Sequence, residues 1–286
     1  MDLSIITVSW NVKKFVADNI KSILAGTRNI DFEIFVVDND SKDDTAEMIR
    51  KDFPRARLIA NNYNAGFAKA NNQAIAKASG RYLLLLNPDM RVLPGTLEKM
   101  VKWMDEHNDV GVAGCHLIKE NGETVPHVRR YPRLFDQLAI VLKLPHLFPG
   151  LLNDYLKKDF DYSKEAEVDS IRGSFFMIRR EVAEKIGGLD ERYFVWFEEV
   201  DYCRQVKNAG WKVMYTPAVD CIDYVGQSFS LMKRGQSQRY FSDSMLKYFK
   251  KWQPAHEYWI LKIAWPIGRF IAIIGEKLSY KNKVRT

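Results

Sequence analysis

The sequence predicts an α/β protein in which a mostly parallel central sheet is covered by helices on both faces. Short β-branched or leucine-rich segments alternate with segments of helical periodicity, and the joints between them are short. In the run Tyr82–Leu86, four leucines follow a tyrosine and show neither a period of two nor a period of 3.6. Such a run suits a strand buried on both faces, as in a parallel sheet under helices.

Each further element is predicted from a local pattern. Enrichment in β-branched and aromatic residues predicts strands at Leu3–Trp10, Phe32–Val37, Arg57–Ala60, Val110–Cys115, Asp169–Ile178 and Trp211–Tyr215. Apolar residues three and four positions apart predict helices at Phe15–Leu24, from Thr45, and at Ala68–Ala78, Thr96–His107, Val182–Ile186 and Gln236–Trp252. The segment Lys119–Glu123 predicts a hairpin turn. The segment Asp220–Ser230 predicts a loop that contains Asp223, Gly226, Gln227 and Ser228.

The composition limits what the chain can be. Its 286 residues allow one large domain with an appendage, which we expect at residues 1–230 and 231–286. The three cysteines form no CxxC pair, which argues against a disulfide scaffold or a zinc ribbon and fits a reducing compartment. The first residues lack the pattern of a signal peptide, and no run of about 18 apolar residues predicts a membrane span.

The charge balance favours anionic partners. A net charge of +7 is compatible with nucleic acid, anionic lipid or phosphorylated substrates. The sequence carries no nucleic-acid-binding signature, so we expect no nucleic acid and favour the other two. The segment Tyr258–Leu278 is apolar and aromatic, is interrupted by Lys262, Pro266 and Arg269, and is flanked by basic residues. This pattern predicts an interfacial helix on an anionic membrane. The alternative is a core-packing or dimerising helix pair.

Polar side chains follow two of the predicted strands at their carboxyl ends, where ligands bind in open α/β sheets. Asn87 and Asp89 follow the leucine run, and Asp38 follows Phe32–Val37. A carboxylate at such an edge can hold a divalent cation or accept a hydrogen bond from a nucleotide. The structural alternatives are an Asx-turn at Asp89 and helix capping at Asp38. The chain has no glycine-rich phosphate loop, so a metal would have to balance a diphosphate.

A second polar cluster begins where five apolar or aromatic residues, at positions 193–197, precede Glu198, Glu199 and Asp201. Apolar neighbours desolvate a carboxyl group and raise its pKa towards the range of a general base. We therefore predict that one of the three carboxylates is catalytic. The alternative is a helix N-terminus enriched in acids for its dipole, with Arg204 placed to neutralise Asp201.

Together these motifs resemble the inverting family 2 glycosyltransferases with the GT-A type of fold, and most closely the rhamnosyltransferase-like branch. The resemblance covers about residues 2–250 and is specific only in the combination of its motifs. These motifs are SIITVSWN, VVDNDSKDDT, NxGFAxANN, LLLLNPD, RGSFFMIRR and GGLDERYFVWFEEVDYCR.

The resemblance implies a role for each matching position. It implies a donor-nucleotide site formed by Thr7, Ser9, Asn11, Asp38, Asn64, Gly66 and Asn87, and an acceptor side formed by Arg172, Gly173, Ser174 and Trp196. Asn87-Pro88-Asp89 stands where the family has its D-x-D metal motif, which implies Asp89 as a ligand of Mg²⁺ or Mn²⁺. Glu198-Glu199 replaces a Glu-Asp pair whose second member is the usual base, which implies Glu199.

Two positions depart from the family pattern. Glutamate is one methylene longer than the usual aspartate base, so Glu198 or Asp201 could serve in place of Glu199. Asp223 stands where the branch commonly has a histidine before G-x-S in the late loop. A carboxylate there suits a hard cation, so we expect Asp223 as a second metal ligand.

These expectations describe a single displacement that inverts the anomeric carbon. The donor implied by the resemblance is dTDP-rhamnose, with UDP-GlcNAc, UDP-galactose or UDP-galactofuranose as alternatives. The acceptor is a cell-envelope or lipid-linked glycan at the cytoplasmic face of the membrane. A nucleotidyltransferase needs a glycine-rich basic loop that residues 9–12 do not provide. The remaining rival is a non-catalytic glycan- or nucleotide-binding protein on the same fold.

Overall fold

The computed structural model describes residues 1–226, 232 and 234–283, and within these ranges nine strands form one sheet. The strands are β1 Leu3–Ser9, β2 Phe32–Asn39, β3 Ala56–Asn61, β4 Tyr82–Leu86, β5 Met90–Val92, β6 Val110–Ile118, β7 Ala166–Glu167, β8 Phe175–Arg179 and β9 Lys212–Asp223. The helices are α1 Lys13–Gly26, α2 Thr45–Asp52, α3 Phe67–Ile75, α4 Thr96–Glu106, α5 Leu134–Val141, α6 Arg180–Ile186, α7 Glu198–Asn208, α8 Arg234–Trp252 and α9 Ala255–Lys283.

The sheet has the order β3-β2-β1-β4-β8-β6-β9-β5, with β7 paired to β9. The half formed by β3, β2, β1 and β4 is parallel throughout. Strand β8 runs antiparallel to both of its neighbours, and β5 and β7 run antiparallel to β9. The predicted α/β class with a central sheet is confirmed. The sheet is mixed rather than mostly parallel, because the parallel pairs of the N-terminal half and of β6 with β9 are matched by the antiparallel pairs of β8, β5 and β7.

Strand β4 is buried on both faces, as the leucine run predicts. Tyr82, Leu84 and Leu86 belong to a core cluster with α1, α2 and α4, whereas Leu83 and Leu85 belong to a cluster with α3, α6 and α7. This alternation follows from the two-residue period of a strand. The prediction of helices on both faces of the sheet is therefore confirmed.

A third core cluster joins the C-terminal helices to the start of α7. Phe197 and Val200 pack there with Met245 and Tyr248 of α8 and Leu261 of α9. Helix α9 continues through Pro266, although the sequence pattern suggested an interruption at this residue. Within the described ranges, no helix combines the length and the apolar character needed to cross a bilayer.

The late part of the chain contains more strand than the sequence predicts. Residues 220–223, expected in a loop, form the end of β9 and pair with the unpredicted β5. Residues 169–174, expected in a strand, precede β8, and only Ser170 makes an isolated bridge. Gln227 and Ser228 lie outside the described residues. The expected hairpin turn is present, because the Lys119 N–H donates to the Glu123 carbonyl at 2.8 Å.

Candidate active site

A cavity of about 280 Å³ opens where β4 ends and α7 begins. Most of the predicted metal, acceptor and base residues line it together: Asn87, Asp89, Arg172, Gly173, Ser174, Trp196, Glu198, Glu199 and Asp223. The two acidic motifs, more than 100 residues apart along the chain, thus meet at one site. We call this space the reaction cavity.

Backbone pairing brings Asp89 and Asp223 side by side. Strand β5 pairs with the end of β9 so that Met90 stands opposite Asp223. The Tyr224 N–H then donates to the Asp89 carbonyl oxygen at 3.1 Å. Burial raises the pKa of Asp223 and the nearby Asp89 carboxylate adds to this, whereas the Arg172 guanidinium, 3.2 Å away, opposes it.

The buried side-chain amide of Asn19 stabilises the turn that carries Asp89. Asn19 donates from Nδ2 to the Met90 carbonyl at 2.8 Å, and its Oδ1 accepts from the Thr7 hydroxyl at 3.4 Å. Thr7 is fully buried and lines neither the reaction cavity nor its neighbour. The structure therefore places Thr7 beneath the site, away from the nucleotide position that the resemblance implies.

Helix α7 presents Glu198 and Glu199 from its first turn. Trp196 and Phe197, which immediately precede the helix, both have a positive φ, at 66° and 70°. Bulky residues in this left-handed region each cost about 1 kcal/mol or more, and packing around them must hold the conformation. With the chain entering the helix in this conformation, Glu198 and Glu199 both line the reaction cavity.

The two glutamates have different electrostatic surroundings. Burial raises the pKa of both carboxyls. The Glu199 charge raises that of Glu198 further, whereas Arg129 and Arg172 lower that of Glu199. Two adjacent buried carboxyls cannot both ionise without a large penalty. These surroundings make Glu199 the member that ionises more readily and Glu198 the member that holds a proton more firmly.

Several buried polar atoms of the reaction cavity have no hydrogen-bond partner within the described part of the chain. They are His127 Nε2, Ser174 Oγ, Glu198 Oε2 and Glu199 Oε2. Nearly all buried polar atoms in native proteins are paired, so a group of such atoms around one cavity marks a site that a ligand completes. Gly173 runs close beside them, because a Cβ built there would lie 3.6 Å from the Glu199 Cβ.

Asp201, the third candidate base, lies outside the reaction cavity. Its carboxylate is fully buried and accepts from Gln205 at 2.7 Å and Lys251 at 2.8 Å, and also from Trp252. The cation beside it is Lys251 rather than Arg204, whose guanidinium donates to the Tyr248 hydroxyl and stacks on Trp252. Asp201 thus anchors α8 to α7.

A smaller cavity of about 70 Å³ adjoins the reaction cavity and shares Phe67, Asn87 and Val195 with it. Of the predicted nucleotide residues, those that line it are Ser9, Asn64, Gly66 and Asn87. Gly66 has φ +82°, and a Cβ there would lie 2.6 Å from the Phe194 carbonyl oxygen, so only glycine fits. We call this space the donor cavity.

Asp38 and Asn11 lie next to the donor cavity without lining it. Asp38 stands beside Ser9 in the β1–β2 register, and burial raises its pKa. One of its oxygens accepts from the Ser41 N–H at 3.1 Å. Asn11 accepts from the Lys42 N–H and ties the two loops together. Both residues therefore shape the loops around the donor cavity.

The donor atoms at Asp89 and Asp223 fit a hard divalent cation that a substrate phosphate completes. Among the described residues, no three or more metal-binding side chains cluster, so the protein offers two carboxylates rather than a full cage. Mg²⁺ commonly binds through one or two carboxylates together with substrate phosphates. The two carboxylates supply hard oxygen donors of the kind that such a cation prefers.

Several residues that line the cavities were not predicted as site residues, and they include His127, Arg129, Phe67 and Asn39. His127 and Arg129 come from the irregular segment before α5, and Phe67 and Asn39 come from the motifs around Gly66 and Asp38. Of these four, only Arg129 lies in a recognisable sequence pattern, a short run of basic residues that is typical of an anion-binding segment. A single histidine such as His127 has no pattern in sequence that separates a cavity residue from a core residue.

The chain belongs to glycosyl transferase family 2, whose family model matches residues 4–187. It is 24% identical over 206 residues to the N-acetylglucosaminyl-diphospho-decaprenol L-rhamnosyltransferase of Mycobacterium tuberculosis, which covers 68% of this chain and 67% of that protein. It is 27% identical to the rhamnosyltransferase WbbL of Escherichia coli, over 56% of this chain and 61% of WbbL. The chain is thus a glycosyltransferase with rhamnosyltransferase homologues.

Solved structures share the fold. The mannosyltransferase PcManGT from Pyrobaculum calidifontis, in complex with GDP-Man and Mn²⁺, superposes with a TM-score of 0.58 at 19% identity. The match covers 93% of this chain and 72% of that one. Staphylococcus aureus TarS 1–349 in complex with UDP gives a TM-score of 0.56 at 17% identity, over 90% and 68%.

Proposed function

We propose that this glycosyltransferase moves a sugar from a nucleotide diphosphate donor to an acceptor hydroxyl with inversion at the anomeric carbon. The observation that carries the proposal is the meeting of two carboxylate pairs in the reaction cavity, Asp89 with Asp223 and Glu198 with Glu199. One pair suits a cation beside a diphosphate, and the other suits proton removal.

The donor nucleotide binds in the donor cavity, with its diphosphate directed towards Asn87 and Asp89. Asp89 and Asp223 would hold Mg²⁺ or Mn²⁺, which when bound neutralises the charge that develops on the leaving diphosphate. The fit rests on the two adjacent carboxylates, which line the same cavity. Arg172 is paired with Asp223, so its guanidinium can turn from that carboxylate to a phosphate oxygen.

Glu199 accepts the proton of the acceptor hydroxyl while the hydroxyl oxygen attacks the anomeric carbon. The bond from that carbon to the diphosphate oxygen breaks, and the nucleoside diphosphate leaves with the electron pair. A single displacement of this kind inverts the anomeric configuration. Arg129 and Arg172 keep Glu199 ionised, and Glu198 retains its proton, so the pair carries one negative charge.

Acceptor hydroxyls meet the side of the reaction cavity formed by Arg172, Ser174 and Trp196. His127 adds an acceptor atom there. Its Nδ1 lies 3.1 Å from the Val125 carbonyl, so Nδ1 carries the hydrogen and Nε2 keeps a lone pair. Burial lowers the pKa of His127 to about 3, so the ring is neutral at physiological pH.

The favoured donor is dTDP-rhamnose, and the favoured acceptor is a cell-envelope or lipid-linked glycan. Similarity to two rhamnosyltransferases supports the donor, and the name of the mycobacterial relative supports a lipid-linked acceptor. UDP-GlcNAc, UDP-galactose and UDP-galactofuranose remain alternative donors. Nothing in either cavity favours a non-catalytic binding protein, because such a protein has no use for the desolvated Glu198 and Glu199.

We also propose contact with an anionic membrane through the outer face of α9. Trp259, Ile263, Ile267 and Phe270 recur at spacings of four, four and three, and each is more than half exposed. Leu261, Ala264 and Gly268 face inward. Lys262 and Arg269 are also exposed and complement acidic headgroups. Because the three buried free cysteines fit a reducing compartment, we infer the cytoplasmic face. Dimerisation through the same face is the alternative.

A donor screen followed by a transfer assay tests the function. The melting temperature is measured with dTDP-, UDP- and GDP-sugars and Mn²⁺, and bound ligand raises it by mass action. We expect the largest rise with dTDP-rhamnose, and release of dTDP when membrane lipid extract is added as acceptor. The absence of both a shift and nucleotide release with every donor would reject the proposal. A shift without release would favour a binding protein.

A further inference from the structure

A third cavity, of about 190 Å³, lies between α5, α8 and α9, and we call it the helix cavity. Its apolar walls are Ile140 and Val141 of α5, Phe241 of α8, Trp265 of α9, and Trp196. Three polar residues, Lys143, Ser237 and Gln238, complete the lining. It belongs to the C-terminal helices rather than to the sheet edge that carries the chemistry.

Trp196 joins the helix cavity to the reaction cavity, because its side chain lines both. Its ring meets Phe241 of α8 edge-on at 6.3 Å between centroids. Trp196 has a positive φ of 66° and lies two residues before Glu198. A ligand that presents a hydroxyl to Glu199 and continues past Trp196 therefore enters the helix cavity.

The lining of the helix cavity selects the chemistry of what enters it. A glycan would lose hydrogen bonds to water against Ile140, Val141 and Trp265, whereas a hydrocarbon chain is stabilised by the apolar surface that it buries there. The Lys143 ammonium is charge-complementary to a phosphate at the cavity edge. Arg129 and Arg172 add positive charge on the other side of Trp196.

We propose that the helix cavity binds the first part of the hydrocarbon chain of a phosphorylated lipid acceptor. This inference rests on the proposed function and specifies its acceptor. The sugar lies at Glu199, the phosphate lies beside Lys143 at the edge of the helix cavity, and the chain lies among α5, α8 and α9. The apolar outer face of α9 belongs to the same helix as Trp265, so a chain that leaves the cavity meets the surface proposed to touch the membrane.

Packing around the helix cavity is tight where α5 and α9 cross. A Cβ built on Gly268 would lie 2.1 Å from the Val141 carbonyl oxygen, so a larger residue there would separate the helices.

Ser237, by contrast, is a small, half-buried residue on α8 that lines the cavity. A phenylalanine at position 237 can fill the cavity without disturbing the helix contact. Gln236 next to it is exposed and lines none of the three cavities described above.

The test uses decyl phosphate below its micelle-forming concentration as the probe, with binding measured by calorimetry. We expect binding to the wild type, at least tenfold weaker binding to Ser237→Phe, and unchanged binding to the matched control Gln236→Phe. Lys143→Met should weaken binding about fivefold. Inorganic phosphate at the same concentrations should give no heat, since it lacks the chain.

Equal binding of decyl phosphate to the wild type and to Ser237→Phe would overturn the inference, as would no binding to the wild type. The melting-temperature shift given by dTDP serves as a separate readout. An unchanged shift in Ser237→Phe shows that the variant is folded and that the donor cavity is intact. Decyl phosphate binding without any nucleotide shift would leave the helix cavity assigned and count against the proposed glycosyl transfer.

Discussion

At the scale of single residues, Glu198 is a buried acid whose ionisation opposes folding. Burial, and then the neighbouring Glu199, raise its pKa above the usual 4.5. A raised folded pKa stabilises the native state below pH 4.5, and this contribution is lost as the pH rises through the folded pKa. Native Glu198 therefore makes the free energy of unfolding fall as the pH rises above 4.5.

The variant Glu198→Gln removes that titration. We predict that it increases the free energy of unfolding at pH 7 relative to the wild type and flattens the dependence between pH 5 and pH 7. Urea denaturation across this range measures both effects. Exposed Glu184→Gln on α6 is the matched control and should leave the profile unchanged. A variant less stable than the wild type at pH 7 would contradict the assigned protonation.

Asp89 is expected to carry the metal dependence of nucleotide binding. We predict that Mn²⁺ increases the melting-temperature shift given by dTDP, because the cation joins Asp89 to the diphosphate. In Asp89→Asn, the extra melting-temperature shift that Mn²⁺ adds to that of dTDP should be about tenfold smaller. The shift that dTDP gives without metal should be unchanged. The exposed Asp31→Asn is the control. A Mn²⁺ effect of full size in Asp89→Asn would place the cation elsewhere.

The sequence predicts some of these residues for clear physical reasons and misses others. Asp89 is predictable because Pro88 ends a buried strand, which leaves the next polar residues at the ligand-binding edge. Among the three acids after Phe197, the residue pattern alone leaves the base open, and only the resemblance to the family pattern points to Glu199. In the structure Glu198 and Glu199 face the reaction cavity, while Asp201 lies one helical turn on and faces α8. His127 is missed because its role depends on contacts made only in the fold.

At the scale of elements, the junction of α7 and α8 depends on a buried ion pair. Asp201 is fully buried and Lys251 donates to it at 2.8 Å. We predict that Lys251→Met destabilises the protein by about 3 kcal/mol, because it leaves a buried charge without its partner. The double variant Asp201→Asn with Lys251→Met should recover much of this loss.

Chemical denaturation of the two single variants and the double variant gives the coupling energy of the pair. Lys250→Met, exposed on the same helix, is the control and should change stability by less than about 0.5 kcal/mol. Additive losses in the double variant would contradict the assignment of Lys251 as the main counter-ion of Asp201.

Elements with a strong local pattern are predictable from the sequence, and those created by pairing are not. The N-terminal strands and helices appear within a few residues of their predicted bounds. Strand β9 runs further than predicted. Pro217 lies where the register between β9 and β6 shifts, and the pairing with β6 continues from Asp220. Strand β5 is three residues long and depends on the end of β9 as its partner.

At the scale of the whole molecule, α9 presents an apolar face beyond the catalytic fold. We predict that the protein sediments with vesicles containing phosphatidylglycerol and much less with neutral phosphatidylcholine vesicles. Ile263→Asp should reduce sedimentation several-fold, because it puts a charge in the centre of the apolar face. Tyr63→Asp, which removes an exposed aromatic beyond the edge strand β3, should have no effect. If all variants sediment equally, the proposal that the apolar face of α9 contacts the membrane is rejected.

The docking of α8 and α9 on α7 is also a property of the whole molecule. The sequence predicts helices in this region, but their contacts with Phe197 and Val200 follow from tertiary packing alone. The C-terminal helices thereby buttress the turn that holds Trp196 and Glu198. This arrangement connects the helix proposed to contact the membrane to α7, which carries the proposed base, through one core cluster.

Glu199 is the proposed base, and it lines the same cavity as the two carboxylates proposed to hold the metal. The most direct measurement is the rate of sugar transfer by Glu199→Gln, with Glu184→Gln as the matched control. We predict a loss of at least a hundredfold in kcat with the nucleotide shift unchanged, because the amide keeps the shape but cannot take the proton. A Glu199→Gln variant that transfers sugar at the wild-type rate would contradict the account.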